Sequence, residues 1–334
     1  MMRVLALLFV AAPALAQSIA STPRGIVVAH HNVVQLFNAA GTAVVWTSDG
    51  VANPTSIVAG DERVAVLDAL SSDVRIVELA TGRGTTVRSG ETPLAGVFLG
   101  RTLYLLERDA RALERIGADG ARASIDIAAD PAFLLAAGNR LYVYARAAGV
   151  VQEIATAPFA VARSVNVAPF ASDFQLDKDT AYLVYPREAK LRVVALATMK
   201  PVGESAVGAV PVALAFASSQ TLAVADPAAK RVWMIEGAQT FRQAFLRGFF
   251  RGLLGLGIRP NRNSDFPTGV DRVLVRGNLL FGYDTSSETL YRVAKAKSAA
   301  LVQGVLPQSF AITADAVFVW DDAVRRLHRT GIDE

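Results

Sequence analysis

The 334-residue chain has no cysteine, only three histidines and no apolar run of the roughly 20 residues needed to cross a bilayer. The first absence excludes a disulfide framework and any cysteine-ligated metal site. The fold must therefore hold by burial alone, and a hydrophobic content of 52% supplies ample material for that. Charge of one sign is scarce as well, since 34 basic residues against 30 acidic ones leave a formal charge of +4. So small an excess makes no case for nucleic acid as a partner, because nucleic-acid binders concentrate their cations on one face. There is no HExxH, no EF-hand loop and no phosphate-cradling glycine motif. These absences favour a binding module over a catalyst.

What is present begins with MMRVLALLFVAAPALA, which has one early cation at Arg3, an apolar run from Val4 to Ala12 and small residues at Ala14 and Ala16. That is the layout of a secretory signal peptide over residues 1–16, and the mature chain, 17–334, is expected to be exported, to a periplasmic or extracellular location.

Eight similar phrases then recur: GIVVAH at 25, RVAVLD at 63, TLYLLE at 102, RLYVYA at 140, TAYLVY at 180, TLAVAD at 221, LLFGYD at 279 and AVFVWD at 316. Their offsets are 38, 39, 38, 40, 41, 58 and 37 residues. Each phrase is apolar nearly throughout rather than alternating, the mark of a strand buried on both faces. A proline precedes a short strand in seven units (Pro54, Pro93, Pro131, Pro169, Pro211, Pro267 and Pro307), and a third strand such as DVRIVELA and a weaker fourth such as GTTVRSG follow. Four short antiparallel strands at this period predict an all-β fold, a β-propeller of four-stranded blades. Eight blades are expected, the last lacking its fourth strand; seven, with the two termini sharing one blade, is the alternative.

The stretch VADPAAKRVWMIEG, 224–237, resembles the repeat of the NHL and YVTN families of bacterial propellers, in which an apolar strand ends in an acid and a basic residue opens the next strand. Asp68 with Arg75, Asp226 with Arg231, Asp284 with Arg292 and Asp321 with Arg325 fit that pattern, while Glu107, Ala145 and Tyr185 depart from it. The resemblance implies the propeller and a bacterial origin, and says little of function. The plain reading of the recurring acids is structural: each bonds backbone amides of its hairpin turn and pairs with the cation across it.

Some propellers similar to this family are lactonases that hold a divalent cation at the channel mouth, which implies an alternative function: a hydrolase with Ca2+ or another divalent cation. The acids that might reach the axis are Asp130, Asp173 and Asp271, with Asn53 as a neutral helper. His30, His31 and His328 would approach one another if the first and last blades meet, but adjacent residues point to opposite faces and a turn or surface role is expected for them. No resident cofactor is expected.

The one irregular offset contains QTFRQAFLRGFFRGLLGLGIRP, 239–260, with four arginines and no acid. As a helix, Phe241, Phe245 and Phe249 fall at i, i+4 spacing beside Phe250, with Arg242, Arg247 and Arg251 flanking the stripe. Three roles are open for this insertion at about 238–262. It could cover a blade edge or plug the channel, with part of 239–245 doubling as the sixth unit's fourth strand. It could dock a protein or another ligand, since aromatic and arginine side chains make interface hot spots. Or it could lie on an anionic membrane surface.

Overall fold

A computed structural model describes residues 19–218, 221–236, 262–276, 279–294, 297–306 and 309–332. The expected signal peptide and all of Phe241, Arg242, Phe245, Arg247, Phe249, Phe250 and Arg251 lie outside the described residues.

Every one of the eight phrases is a strand with the bounds expected of it, from Gly25–His30 to Ala316–Asp321. Each is the second strand of an antiparallel sheet in the order first, second, third, fourth. The blades run Ile19–Asp49, Ser56–Arg88, Pro93–Asp126, Pro131–Asn166, Asp173–Ala206, Ala213–Asp265, Arg272–Gln303 and Phe310–Gly331. The eighth has three strands among the described residues, and blades six and seven touch through a single parallel bridge between Asp265 and Lys297. The fold is thus an eight-bladed propeller, with the first and last described strands in different blades.

Burial explains why the second strands were the visible ones. Gly25–His30 is buried at all six positions, whereas the fourth strand Val44–Asp49 is half-exposed or exposed throughout. A second strand is covered on both faces by neighbouring blades, so it carries no polar alternation. The core is correspondingly a set of wedges between blades. At the closing seam Ile19, Ile26, Val28 and Phe37 of blade one pack against Ala311, Ala316, Phe318, Trp320 and Leu327 of blade eight. Innermost strands lie side by side around the axis, and Phe310–Ile312 lies against Ile19–Thr22. No described strand crosses from one blade to the other at this seam, so side-chain packing closes the ring there.

The hairpins between second and third strands share one backbone device. Asn32, Ser72, Arg111, Gly149, Ala189, Lys230, Glu288 and Arg325 each stand immediately before a third strand in the left-handed region, with φ between 50° and 64°. Only blade four uses glycine, and there a side chain would have no room: a Cβ at 149 would come 2.8 Å from the Pro169 nitrogen and 2.9 Å from the Val167 carbonyl oxygen.

Blade six corrects one expectation. Its fourth strand is Arg262–Asp265, paired antiparallel to Arg231–Glu236, and no part of 239–245 is needed to complete the sheet. The stretch 237–261 therefore connects a third strand to a fourth strand of an already complete blade.

Candidate functional site

The recurring acids are fixed first, because they decide what is free to do chemistry. Asp68, Asp226 and Asp284 are fully buried rather than exposed. Asp226 accepts hydrogen bonds from the Ala209 and Val210 N–H groups (2.6 and 3.1 Å), from the Ala229 N–H (3.1 Å) and from Trp233 Nε1 (3.1 Å). It thereby ties the loop entering blade six to its own hairpin. Gly208 opens that loop at φ 62°, where a Cβ would lie 2.1 Å from Asp226 Oδ2. Asp68 does the same for blade two, accepting from the N–H groups of Asn53, Leu70 and Ser71 at 2.9–3.1 Å. Burial alone would raise the Asp68 and Asp284 carboxyls, but their hydrogen bonds from backbone N–H and serine groups outweigh it and hold both below the usual range.

The backbone half of the structural reading thus holds, and the cross-hairpin cation half does not. Arg75 turns to Ser48 and Thr86 (3.2 and 3.4 Å), Arg231 lies over the Trp233 ring, and Arg292 donates to the Ile332 carbonyl. Asp226 already accepts four hydrogen bonds and Asp68 and Asp284 three each, from backbone N–H, indole and serine hydroxyl groups, which leaves little room for a guanidinium.

Where the repeat departs from aspartate, other groups hold the same loop. Tyr144 and Tyr185 both donate to the Ala168 carbonyl (3.1 and 3.0 Å), and Tyr144 accepts from the Ala171 N–H. In blade three Glu107 accepts from the Gly90 N–H and is buried beside Glu114. Burial, reinforced by Glu114, pushes the Glu107 carboxyl well above the usual range against that hydrogen bond. The folded chain thus keeps a proton that the unfolded chain releases in the ordinary carboxylate range, so stability is fullest below that range and falls as pH rises through the raised value. Glu107→Gln is expected to stabilise the protein by about 1–3 kcal/mol near pH 8 and to change it little near pH 5, measured by urea unfolding at both pH values.

The four groups considered for a cation are not brought together as ligands. Asp130 is held by Arg146 through two contacts of 3.0 and 3.2 Å, and Asn53 offers its N–H to Asp68. Asp173 accepts from the Leu214 and Phe174 N–H groups, both at 2.7 Å, and from Gln175 at 3.3 Å. Burial pushes its carboxyl up to about 6, with those hydrogen bonds and the Arg272 charge opposing. Asp271 accepts from Thr285 Oγ1 at 3.0 Å and is also raised by burial. Burial in turn lowers Arg272, whose charge acts on both Asp271 and Asp173. Among the described residues no three potential metal-ligating side chains converge, and the cation near these two acids is the chain's own guanidinium.

Two of the three histidines meet at the closing seam. His30 stacks on Trp320 with ring centroids 4.7 Å apart, and His31 Nε2 contacts Asp322 Oδ2 at 2.9 Å. Trp320 Nε1 donates to the other oxygen of Asp322 at 3.2 Å. His328 stands exposed on the last strand. The arrangement is a seam clamp.

On the axis the first strands of blades one, two, five, six, seven and eight line an open recess of about 500 Å³. Most of its lining residues are apolar, but Ile57, Leu214 and Phe310 are buried in the wedges between blades, so much of what faces the axis is strand backbone; its polar side chains are Ser21, Gln175 and the exposed Arg276. Arg276 donates from Nε to the Ile312 carbonyl at 3.0 Å, and its two terminal nitrogens have no protein partner among the described residues. Sequence reasoning missed Arg272 and Arg276, which read as ordinary arginines at the two ends of a short strand.

With this geometry in hand, likeness to known proteins can be weighed. No protein-family model and no curated protein sequence matches the chain. Solved structures do. BamB from Moraxella catarrhalis is 11% identical over 95% of this chain and 97% of that one, with a TM-score of 0.66. Virginiamycin B lyase from Staphylococcus aureus is 10% identical over 84% of this chain and 95% of that one, at 0.62. Hydrazine synthase of Kuenenia stuttgartiensis is 15% identical over 85% and 96%, also at 0.62. The likeness is one of fold. It supports the propeller that the repeat resemblance implied, without a family model for the NHL or YVTN type.

Proposed function

We propose that this protein is an exported, non-catalytic propeller whose ring is a scaffold and whose insertion at about 238–262 makes the contact with a partner. The observation that carries this reading is the sixth blade, which already has four strands among the described residues: Ala213–Ser218, Thr221–Asp226, Arg231–Glu236 and Arg262–Asp265. The four-strand repeat does not call for the stretch, and insertions into a repeat scaffold are where contact residues concentrate. Phe241, Phe245, Phe249 and Phe250 are the anchors, and Arg242, Arg247 and Arg251 steer an acidic protein or an anionic membrane surface toward them. The fold itself does not decide between binding and catalysis, since two of the similar structures are enzymes by name. The engaged state of Asp130, Asp173 and Asp271 weighs against the cation-dependent hydrolase.

Replacing Phe241, Phe245, Phe249 and Phe250 together by alanine is expected to weaken capture of an envelope protein or of anionic liposomes at least about tenfold, with the melting temperature unchanged. Undiminished capture of both by that variant would contradict the assignment. Export is tested on the same preparation: the mature chain is expected in the periplasmic or extracellular fraction with Gln17 as its first residue.

A further inference from the structure

We infer that the outer edge of blade eight is a second docking site, for an extended segment of a partner protein with alternating acidic and aliphatic residues, added as a fourth strand beside Arg326–Gly331. This goes beyond the contact proposed for the insertion and uses none of it. It rests on the removal of residues 1–16, which leaves Gln17 and Ser18 ahead of Ile19, too few to form that strand. In blades one to seven the third strand is paired on both sides, whereas Arg326–Gly331 pairs only with Ala316–Asp321 among the described residues. The Ile332 N–H turns inward to the Asp315 carbonyl at 3.0 Å, so by the alternation of an antiparallel ladder the N–H and C=O groups of Leu327, Arg329 and Gly331 point outward. A row of outward backbone groups is a template for one more strand.

The two sides of the edge ask for different side chains. Leu327 packs in the wedge toward blade one, and Val44, the cross-strand partner of Phe37 in that same wedge, stands 46% exposed. Val45 beside it is 56% exposed. Guest residues opposite Leu327, Arg329 and Gly331 share their side and meet these valines, which fits aliphatic side chains. The other side faces blade seven, against which Val317 and Val319, the partners of Thr330 and His328, are packed. There Arg326 and His328 are exposed, and the Arg326 guanidinium has no hydrogen bond or ion pair among the described residues. Acidic side chains at the intervening guest positions pair with these cations.

A second copy of this chain is a poor occupant. Its own edge would set Arg326 and Arg329 against like charges, and its residues 239–260 carry four arginines and no acid. Cations on an edge strand keep like edges apart. The same cations select an acidic guest, so charge complementarity points to a partner of the opposite sign.

The test is titration of protein beginning at Gln17 with labelled peptides, followed by fluorescence anisotropy. The acetylated peptide Thr-Val-Glu-Val-Glu-Val-Thr is expected to bind, and its counterpart with lysine for glutamate at least about tenfold more weakly. Methylating the valine amides, which face the edge, is expected to weaken binding about tenfold or more. Arg329→Pro removes an outward N–H and no inward one, so it is expected to weaken the acidic peptide about tenfold or more. Arg329→Ala, which loses only a charge already spent on Asp315 at 3.0 Å, is expected to bind like wild type. Arg326→Glu is expected to reverse the preference between the acidic and basic peptides. Melting curves show whether each variant folds, and the methylated peptide probes the same hydrogen bonds should Arg329→Pro not fold. Equal binding of the two peptides, undiminished binding of the methylated one, full retention by folded Arg329→Pro, or no binding by the wild type would overturn the inference. Starting the protein at Gln17 keeps the result independent of cleavage. Since these variants keep the insertion and the four-phenylalanine variant keeps this edge, failure here and failure of the contact by the insertion are read separately.

Discussion

A Phe318→Ala protein is expected to lose about 4 kcal/mol of stability, the range for truncating a large buried aromatic side chain. Phe318 is fully buried in the wedge between the last blade and the first. Elsewhere the chain itself links one blade to the next, so a weakened wedge is still tethered. At this seam the described strands stay within their own blades, and contact rests on Phe318, Trp320 and Leu327 against Ile19, Ile26, Val28 and Phe37. The clamp of His31, Asp322 and Trp320 adds only two hydrogen bonds, one of them between exposed side chains, which cannot replace a lost aromatic core. Urea unfolding gives the free energy, and Trp320, stacked on His30, provides a fluorescence probe at the seam itself. A loss below about 1 kcal/mol would mean that packing here does not close the ring.

The second large effect belongs to Asp226. Its replacement by alanine leaves the donors of Ala209, Val210, Ala229 and Trp233 without their acceptor in a fully buried place. An unsatisfied buried donor costs about 1–3 kcal/mol, and relaxation spares some of the four, so a loss of about 3 kcal/mol is expected. Asp226→Asn keeps one oxygen as acceptor and turns a second donor on the amides, so it should fall between alanine and wild type. The order wild type, asparagine, alanine in midpoint of urea unfolding is the expected result. Indifference to both changes would remove the aspartate from its role as a tie between blade five's exit and blade six's hairpin.

How much of this was legible in the residues follows from how each strand is buried. The second strands are covered on both faces, so TLYLLE or AVFVWD announces itself as an unbroken apolar run with the bounds found in the structure. The fourth strand of blade six, RNSD at 262–265, has no apolar residue at all, which is why sequence reasoning sought it within 239–245. The pairing of Asp68 with Arg75 failed for another reason. A charge pattern cannot reveal that a carboxylate already accepts from three backbone amides of two different loops. The channel was the least legible part. Its walls are strand edges, which have no side-chain signature, and only the assembled ring shows that Arg276, exposed at a strand end, lines the axial recess.

The central claim is that the basic aromatic stretch is surplus to the ring and serves contact. The direct measurement is thermal melting and liposome or envelope-protein capture of a protein in which residues 241–258 are replaced by a short Gly-Ser linker. The account expects a melting temperature within about 2 °C of wild type together with loss of capture. A melting temperature lowered by about 10 °C or more, or capture undiminished by the replacement, would contradict it.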